Sequence, residues 1–501
     1  MKRKLVNRVL SAAVAAVLLT VSVTGLGAPL TAKAAYADTI GHWAQVEINR
    51  WTERGIITGT NNMFRPDDPL TRGELAVIVD RIFKWRLSLP NGAFSDVAQG
   101  GWYSGAVLRA GSAGVIQGAN GYMRPNDYVQ RQEAAVILGR ALNITASSAA
   151  NTNFNDDYQI AAWAKGIVKE LVSRGAISAD GVGGGRFAPL ESLTRAQFVK
   201  MLDNAISDIY SEQGGYSQYA SKTVIINASG VTLSNMTIQG DLVISEGVGD
   251  GGVELKGVTV SGTVYVKGGR RTIEIVNSSI TNMVVNRAEG ETQIRVDGTS
   301  NIYDTRLFTT AILTENNAYS NSGFRNVTID EGAVKDIRVD ILGDTDNVYQ
   351  NANNADLRIN GKVGTLTIGK SCNVKGDITY DRINFSANVT CTINGEKYSP
   401  NDSNDTADFR GVTISPSGAV YVSDTLRAVP AGGTYASYSY RWFWSNTNLA
   451  VNDSGWYQIS GETYSTYKIA SQYNGADIMV EVNNGWETYR AKTGKVGSGL
   501  G

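Results

Sequence analysis

Three arginines recur at matching points of the sequence, and their positions suit them to bind a carboxylate. Arg72, Arg131 and Arg195 lie in related five-residue segments, and the intervals between them are 59 and 64 residues. Each segment predicts the first turn of a helix, where a cation opposes the helix macrodipole and a purely structural design would favour Asp or Glu. A guanidinium beside free backbone amides is a good carboxylate site.

An aspartate and a tryptophan accompany each arginine, in phase with it. The tryptophans are Trp43, Trp102 and Trp163. The aspartates, Asp38, Asp96 and Asp156, supply the alternative interpretation, in which each arginine forms a structural ion pair between repeats. One arginine could also serve both roles, because its planar fork offers several donors.

The elements that must position these residues are two helices in each repeat. In the first repeat, apolar residues at helical spacing end at Gly55, and a turn-rich loop follows. Thr71 and Glu74 then form a predicted capping box, which begins the second helix. A fixed period with the same landmarks indicates an internal repeat over roughly residues 36–210.

This pattern resembles the surface-layer homology (SLH) family, whose Thr-Arg-Ala-Glu motif corresponds to Thr71-Arg72-Gly73-Glu74. The resemblance implies a three-pronged, all-α bundle in a Gram-positive bacterium. It also implies that grooves between prongs bind pyruvylated sugars of the secondary cell-wall polysaccharide non-covalently. The ligand-binding residues that it implies are Asp38, Trp43, Arg72, Glu74, Asp96, Trp102, Arg131, Asp156, Trp163 and Arg195.

The second and third repeats depart from the family motif. Gln130 replaces the capping threonine, and Gln197 replaces the glutamate. The first repeat keeps the motif intact, so its groove is expected to bind first, then the second and then the third. The expected repeat bounds are 35–90, 91–150 and 151–210.

The first 34 residues predict a secretory signal peptide. A basic start precedes an apolar stretch, Val9 to Val23, and Ala32-Lys33-Ala34 offers a cleavage site. An uncleaved membrane anchor is the alternative. After cleavage, 41 basic and 47 acidic residues would remain, which argues against nucleic-acid binding. One histidine and two cysteines exclude a His/Cys zinc cluster.

After a predicted linker at 211–222, residues 223–400 predict a β-solenoid. Short alternating runs begin at Val231, Val253, Ile273 and Ile294, which are 20 to 22 residues apart. An antiparallel sandwich is the competing fold. Cys372 and Cys391 are one coil apart and could form a disulfide, with two buried thiols as the alternative. A weak calcium site is conceivable at Asp340, Asp344 and Asp346, although a solvated turn is the simpler interpretation.

Residues 401–501 predict an antiparallel β-sandwich. The strand Tyr438 to Trp444 resembles bacterial immunoglobulin-like surface domains, in which the tryptophan is a core residue. Four further aromatic residues could stack on sugar rings: Trp456, Tyr457, Trp486 and Tyr489.

Together these features predict a secreted cell-surface or S-layer-type protein, held to wall polysaccharide and displaying a structural β-rich body. Such a protein could assemble with itself into a lattice, needs no cofactor and is expected not to be an enzyme. One alternative is a wall-anchored polysaccharide-degrading enzyme that uses the solenoid groove, because glycoside hydrolysis needs two placed carboxylates that the sequence does not exclude. A carbohydrate adhesin is the further alternative.

Overall fold

The computed structural model describes residues 36–148, 151–316, 322–386, 388–400, 411–416, 419–431, 438–483 and 488–498. The predicted signal peptide and Trp486 lie outside these ranges.

Within residues 36–148 and 151–210, the structure describes six α-helices, two from each repeat. The second helix of the first repeat begins with the predicted capping box, since Glu74 N donates to Thr71 Oγ1 at 3.2 Å and Thr71 N donates to Glu74 at 2.9 Å. Short 3-10 turns at Ala37–Thr39 and Asp157–Gln159 precede the first helices of repeats one and three. The helices are α1 Gln45–Glu53, α2 Arg72–Phe83, α3 Ser104–Ser112, α4 Arg131–Ala141, α5 Ala162–Ser173 and α6 Arg195–Ala205.

The repeats close on one another with a pseudo-threefold arrangement. The second helix of each repeat packs on the first helix of the next, which gives the pairs α2 with α3, α4 with α5 and α6 with α1. At the centre, backbone hydrogen bonds form a ring, with Leu70 N bonded to Leu193 O, Leu193 N to Val129 O and Val129 N to Leu70 O at 2.8–3.0 Å. Each repeat therefore depends on both of the others.

The middle region is a parallel β-solenoid, as the period of its apolar runs predicted. Two long sheets run its length, and successive coils pair in register, for example Val253 with Ile273 and Ile275 with Val296. Parallel pairing excludes the antiparallel sandwich here, apart from a hairpin at the end of the last coil. The buried Val, Ile and Leu side chains form one continuous core.

The strands of the solenoid follow in chain order: β1 Ile206–Tyr210, β2 Gly214–Tyr216, β3 Thr223–Ile226, β4 Val231–Ser234, β5 Thr237–Ile238, β6 Leu242–Ile244, β7 Val253–Lys256, β8 Thr259–Val266, β9 Ile273–Val276, β10 Ser279–Val285, β11 Thr292–Asp297, β12 Asn301–Leu307, β13 Ala311–Asn316, β14 Gly323–Ile329, β15 Arg338–Leu342, β16 Thr345–Gln350, β17 Ala355–Ile368, β18 Cys372–Lys375, β19 Ile378–Phe385, β20 Cys391–Ile393 and β21 Glu396–Tyr398. A 3-10 turn at Glu246–Val248 lies between β6 and β7.

The segment predicted as a linker, 211–222, belongs instead to the first coil. β2 pairs with β4, and β1, which follows α6 without a break, pairs with β3. The glycines of β2 gave the segment a turn-like composition, but strand pairing with a distant segment decided its conformation.

The solenoid also caps the helical bundle. Asn227 Nδ2 donates to Ile82 O at 2.7 Å near the end of α2, and Lys222 Nζ donates to Asp203 O at 2.7 Å near the end of α6. Helix C-termini leave carbonyls without intrahelical partners, so these bonds satisfy groups that would otherwise need water. The bundle and the solenoid are thus joined by side chains as well as by the chain itself.

Cys372 and Cys391 are direct partners on β18 and β20, and their sulfur atoms lie 3.2 Å apart without a bond.

We expect the exported protein, purified without reductant, to contain the disulfide between Cys372 and Cys391, because the extracellular space is oxidising. The intact mass should be about 2 Da below that of the reduced chain, and closing a loop of about 19 residues should stabilise the fold by about 3 kcal/mol. Reductant should lower the free energy of unfolding of the native chain and leave that of a Cys372→Ser variant unchanged. Two reactive thiols per native chain would contradict the prediction.

The described part of the C-terminal region contains two antiparallel sheets, one of three strands and one of four. Trp442 is fully buried between them, as expected for the core tryptophan of such a fold. A 3-10 turn lies at Ser471–Tyr473. The strands are β22 Gly411–Ser415, β23 Thr425–Ala431, β24 Ser439–Ser445, β25 Tyr457–Ile459, β26 Thr466–Lys468, β27 Asp477–Asn483 and β28 Thr488–Lys495.

Candidate functional site

The repeated arginines lie at the hub of the bundle and are almost fully buried. Arg72 is 4% exposed, and Arg131 and Arg195 are each 7% exposed. Arg72 Nε donates to Met123 O at 3.0 Å, Nη2 donates to Gln117 O at 3.1 Å, and Nη1 pairs with Glu133 at 3.2 Å. All three acceptors belong to the second repeat, so this side chain joins two repeats.

The other two arginines repeat this contact and close the circle. Arg195 Nε donates to Phe64 O at 2.9 Å and Nη1 pairs with Glu74 at 2.8 Å, while Arg131 Nη2 donates to Gln197 Oε1 at 2.9 Å. Burial lowers the pKa of each guanidinium, partly offset at Arg195 by the nearby carboxylate of Glu74. The side chain at the third position of each second helix, Glu74, Glu133 or Gln197, therefore accepts from the arginine of the preceding repeat.

Two sequence-based expectations about the arginines are wrong in detail. The backbone amides beside them are not free, since Arg72 N donates to Asp127 O at 2.9 Å and Gly73 N donates to Pro125 O at 2.7 Å. The ion-pair partners are the capping glutamates rather than the aspartates near the repeat starts. A helix by itself leaves its first backbone amides without acceptors, but packing against the neighbouring repeat supplies them here.

The three aspartates clamp the returning loop of their own repeat. Each carboxylate accepts two successive backbone N–H groups at 2.6–2.8 Å, from Phe64 and Arg65 for Asp38, from Met123 and Arg124 for Asp96, and from Phe187 and Ala188 for Asp156. Two of these loops supply the carbonyls that accept from the hub arginines, since Arg195 Nε donates to Phe64 O and Arg72 Nε donates to Met123 O, whereas Arg131 Nε is buried without an acceptor among the described residues. Asp38 and Asp96 thereby hold in place the carbonyls that Arg195 and Arg72 bind.

The three tryptophans lie apart from the hub, each at the start of a first helix. Trp43 is 58% exposed, Trp102 is 68% exposed and Trp163 is 55% exposed. Exposed indole rings offer flat apolar faces. Their role in ligand binding stays a prediction.

A pocket of about 430 Å³, here called the groove of the first repeat, lies between the C-terminal ends of α1 and α2, and none of the site residues predicted from the sequence lines it. The C-terminal ends of both helices open onto it, and α3 and the start of the solenoid complete its wall. The lining residues are Arg54, Gly55, Ile56, Asp80, Arg81, Lys84, Trp85, Arg109 and Ser211.

The pocket wall carries four cations and one carboxylate. Arg109 is held by a double hydrogen bond to that carboxylate, Asp80, at 2.9 and 2.7 Å. Arg54 pairs through Nη2 with Asp208 at 2.7 Å, and its other terminal nitrogen is buried with no acceptor among the described residues. Partial desolvation lowers the pKa of Lys84. The excess of cations over carboxylates in this wall suits an anionic ligand.

The sequence analysis missed these cations because it followed residues that all three repeats share. The equivalent positions in the second and third repeats are found by aligning the hub arginines and the helix-ending glycines. Arg54 then corresponds to Ala113 and Arg174, Arg81 corresponds to Arg140 and Asn204, and Lys84 corresponds to Asn143 and Ser207. The first repeat alone has a cation at all three positions. Differences between repeats, rather than their common motif, would have indicated this groove.

Three segments of the chain, residues 35–76, 93–135 and 153–199, match the profile of the family described as the S-layer homology domain. The chain carries three S-layer homology repeats. They coincide with the closed ring of helices, so the SLH bundle is the unit that contains the cationic groove. The presence of these repeats indicates that the chain is a secreted cell-surface protein.

Curated relatives of the chain include both S-layer proteins and enzymes. It is 34% identical over 167 residues to an exoglucanase, XynX, of Acetivibrio thermocellus, and 30% identical over 199 residues to an S-layer protein of Bacillus thuringiensis subsp. finitimus. It is 26% identical over 259 residues to S-layer protein EA1 of Bacillus anthracis. These matches cover 32%, 38% and 46% of this chain but only 15%, 23% and 28% of the relatives. They support a cell-wall-anchored surface protein and leave any enzymatic activity open.

The remaining predicted sites are placed as follows. Among the described residues, no helix is long and apolar enough to cross a membrane. Asp344 accepts the amide of Lys362 at 2.7 Å and Asp346 pairs with Arg325 at 2.7 Å, and the described residues contain no group of three or more His, Cys, Asp or Glu that could hold a metal ion. Calcium binding at Asp340, Asp344 and Asp346 stays a prediction.

Two of the C-terminal aromatic residues that could stack on sugar rings differ in their surroundings. Tyr457 is 62% exposed, and Trp456 donates Nε1 to Ala450 O at 2.9 Å.

Proposed function

We propose that the SLH bundle anchors this protein non-covalently to a secondary cell-wall polysaccharide by binding an anionic sugar substituent, the carboxylate of a pyruvate ketal. The cationic groove of the first repeat is the observation that carries this proposal. Arg54, which follows α1, lines this groove, and Arg81 and Lys84 line it from the end of α2. Charge-assisted hydrogen bonds from such donors to a carboxylate are stronger than neutral ones.

The β-rich remainder is the displayed body in this proposal. The solenoid is bonded to the ends of α2 and α6, and Arg174 of α5's C-terminus pairs with Asp241 at 2.7 Å. Anchor and body are then held in a fixed relation, which suits a structural surface layer. A lattice of such chains is part of the proposal, as is the view that the body displays structure rather than activity.

The enzyme alternative is supported by the exoglucanase and the other glycosidases among the relatives. The exoglucanase match of 167 residues has about the length of the SLH region, residues 35–199. The exoglucanase resemblance therefore has the size expected for a shared anchor. Hydrolysis of a polysaccharide by the exported chain would favour the alternative.

The experiment is sedimentation of the exported chain with purified wall sacculi, native and after chemical removal of pyruvate. We expect the chain to sediment with native sacculi and to lose at least about tenfold in affinity without pyruvate, as expected when a charged partner is removed. Raising the salt concentration should weaken binding to native sacculi, because the attraction is between charges. Equal binding to both preparations would overturn the pyruvate part of the proposal, and no binding to either would overturn the anchor.

A further inference from the structure

A second pocket, of about 690 Å³, lies far from the SLH groove in sequence, between the solenoid and the C-terminal sheets. One wall is the outer face of three successive coils, β12, β14 and β16. The other wall is formed by β23, the start of β24 and the loop that includes Tyr464 and Ser465. Its volume lies within the usual range for small-molecule sites, about 300–1,000 Å³.

The solenoid wall carries a ladder of hydrogen-bonded polar side chains. Asn326 Nδ2 donates to Asp304 Oδ1 at 2.9 Å, and Asn347 Nδ2 donates to Asn326 Oδ1 at 2.8 Å. The three residues are register partners on neighbouring coils. Strands lie about 4.8 Å apart, so the ladder extends over roughly 10 Å, about the length of a disaccharide.

The ladder is fixed at one end and open at the other. Ser465 Oγ donates to Asp304 Oδ2, which ties the ladder to the C-terminal region. Asn347 Oδ1 has no donor among the described residues and lines the pocket. An amide oxygen held in place by its own N–H group is a ready acceptor for a ligand hydroxyl.

Tyrosines supply the apolar surfaces of the pocket. Tyr349 lies on the solenoid wall, and Tyr440 and Tyr464 lie on the opposite wall. Both hydroxyls are protonated at neutral pH, as in any tyrosine, and burial raises the pKa of Tyr349 and of Tyr440 further above the ordinary value of about 10. A phenol ring combines a flat apolar face with a polar edge, which matches the two kinds of surface of a sugar ring.

The charge of this pocket is balanced, in contrast to that of the SLH groove. Its lining contains three cations, Arg306, Lys370 and Arg427, and three carboxylates, Asp304, Asp330 and Glu331. Arg306 is paired with Asp330, so part of the charge is already neutralised within the wall. A balanced, hydroxyl-rich and amide-rich pocket favours a neutral polar ligand over an ion.

We propose that this cleft binds a neutral oligosaccharide, with the Asp304–Asn326–Asn347 ladder bonding its hydroxyls and the tyrosines packing on its rings. The site is independent of the wall anchor: it differs in location, in charge and in the class of sugar that it accepts. The protein would then hold two carbohydrates at once, an anionic one at the wall and a neutral one in the displayed body.

The test is calorimetric titration of the exported chain with cellotetraose, xylotetraose, maltotetraose and tetra-N-acetylchitotetraose, with tetragalacturonate as the charged comparison. We expect at least one neutral tetrasaccharide to bind, and Asn347→Ala to weaken that binding about tenfold or more. Tyr349→Phe, which keeps the ring and removes only the hydroxyl, should weaken it less. Thermal unfolding of each variant checks that the fold is kept.

Asn373→Ala is the matched control, because Asn373 Nδ2 also donates to an aspartate, Asp356, at 3.0 Å, but on the other sheet of the solenoid. This variant should bind with native affinity, as should the SLH-groove variant Lys84→Glu, so that failure of the anchor and failure of the cleft are separable. The proposal is overturned if none of the four neutral sugars binds below about 10 mM, if only tetragalacturonate binds, or if Asn347→Ala binds as tightly as the native chain.

Discussion

Replacing Arg195 by alanine is expected to destabilise the SLH bundle by about 3–5 kcal/mol, the cost of breaking a buried ion pair from one side. The substitution removes hydrogen bonds to the carbonyls of Phe64 and Thr58 and to the carboxylate of Glu74. It also removes a guanidinium whose carbon lies 4.6 Å from the centre of the Phe64 ring. The unfolding temperature of the bundle should fall by roughly 6–20 °C in a calorimetric or circular-dichroism melt.

A matched surface arginine provides the control. Arg186 forms an ion pair with Glu191 at 2.8 Å, but both side chains are more than half exposed. Arg186→Ala should therefore change the free energy of unfolding by less than about 1 kcal/mol. If Arg195→Ala melts like the native chain and loses only its binding to wall sacculi, the arginine binds ligand and its structural role is refuted.

Reversing the charge of Lys84 is expected to weaken binding to native sacculi roughly 10- to 100-fold, while the bundle stays folded. Lys84 is exposed and lines the SLH groove together with three arginines. A charge-assisted hydrogen bond contributes about 1.5–3 kcal/mol, and a glutamate at this position would in addition repel a carboxylate ligand. Lys84 already has a left-handed backbone, with φ of 50°, so exchange for another L residue adds little backbone strain.

Lys335→Glu makes the same charge change on an exposed turn of the solenoid, where the side chain is 84% exposed. Its binding to sacculi should stay within about twofold of the native value, because screening removes the effect of a distant surface charge. Arg140→Ala tests the second groove, where this is the cation that corresponds to Arg81. Full binding by Lys84→Glu together with a loss in Arg140→Ala would place the ligand in the second groove instead.

These two predictions separate roles that the sequence motif combines. The shared arginines and aspartates form the frame of the bundle, since Arg72, Arg131 and Arg195 join the repeats, while Asp38, Asp96 and Asp156 hold the returning loops, two of which supply carbonyl acceptors to Arg195 and Arg72. The cations of the groove stand where the repeats differ. A residue type that recurs in all three repeats is therefore a poor guide to which groove binds.

Much of the architecture could be predicted because its signals are local. The capping box at Thr71 and Glu74 acts over three residues, and a coil of 20 to 22 residues repeats its alternating apolar pattern in each strand. The same local signals misled at residues 211–222, where two glycines indicated a turn and pairing between β2 and β4 made a strand.

The sequence by itself determined the number of repeats and the helices that each repeat contributes, and the period of its apolar runs favoured stacked coils in the middle region, where strand pairing then decided between a solenoid and a sandwich. Tertiary structure alone decided what the side chains bind. The acceptors of Arg72 and Arg195 lie 45 to 137 positions away, and closure of three repeats into a ring brings them within hydrogen-bond distance. The groove of the first repeat, and the cleft between the solenoid and the C-terminal sheets, arise in the same way. Each is lined by segments that are distant in sequence and that meet only because burial of apolar side chains fixes how the helices and sheets pack.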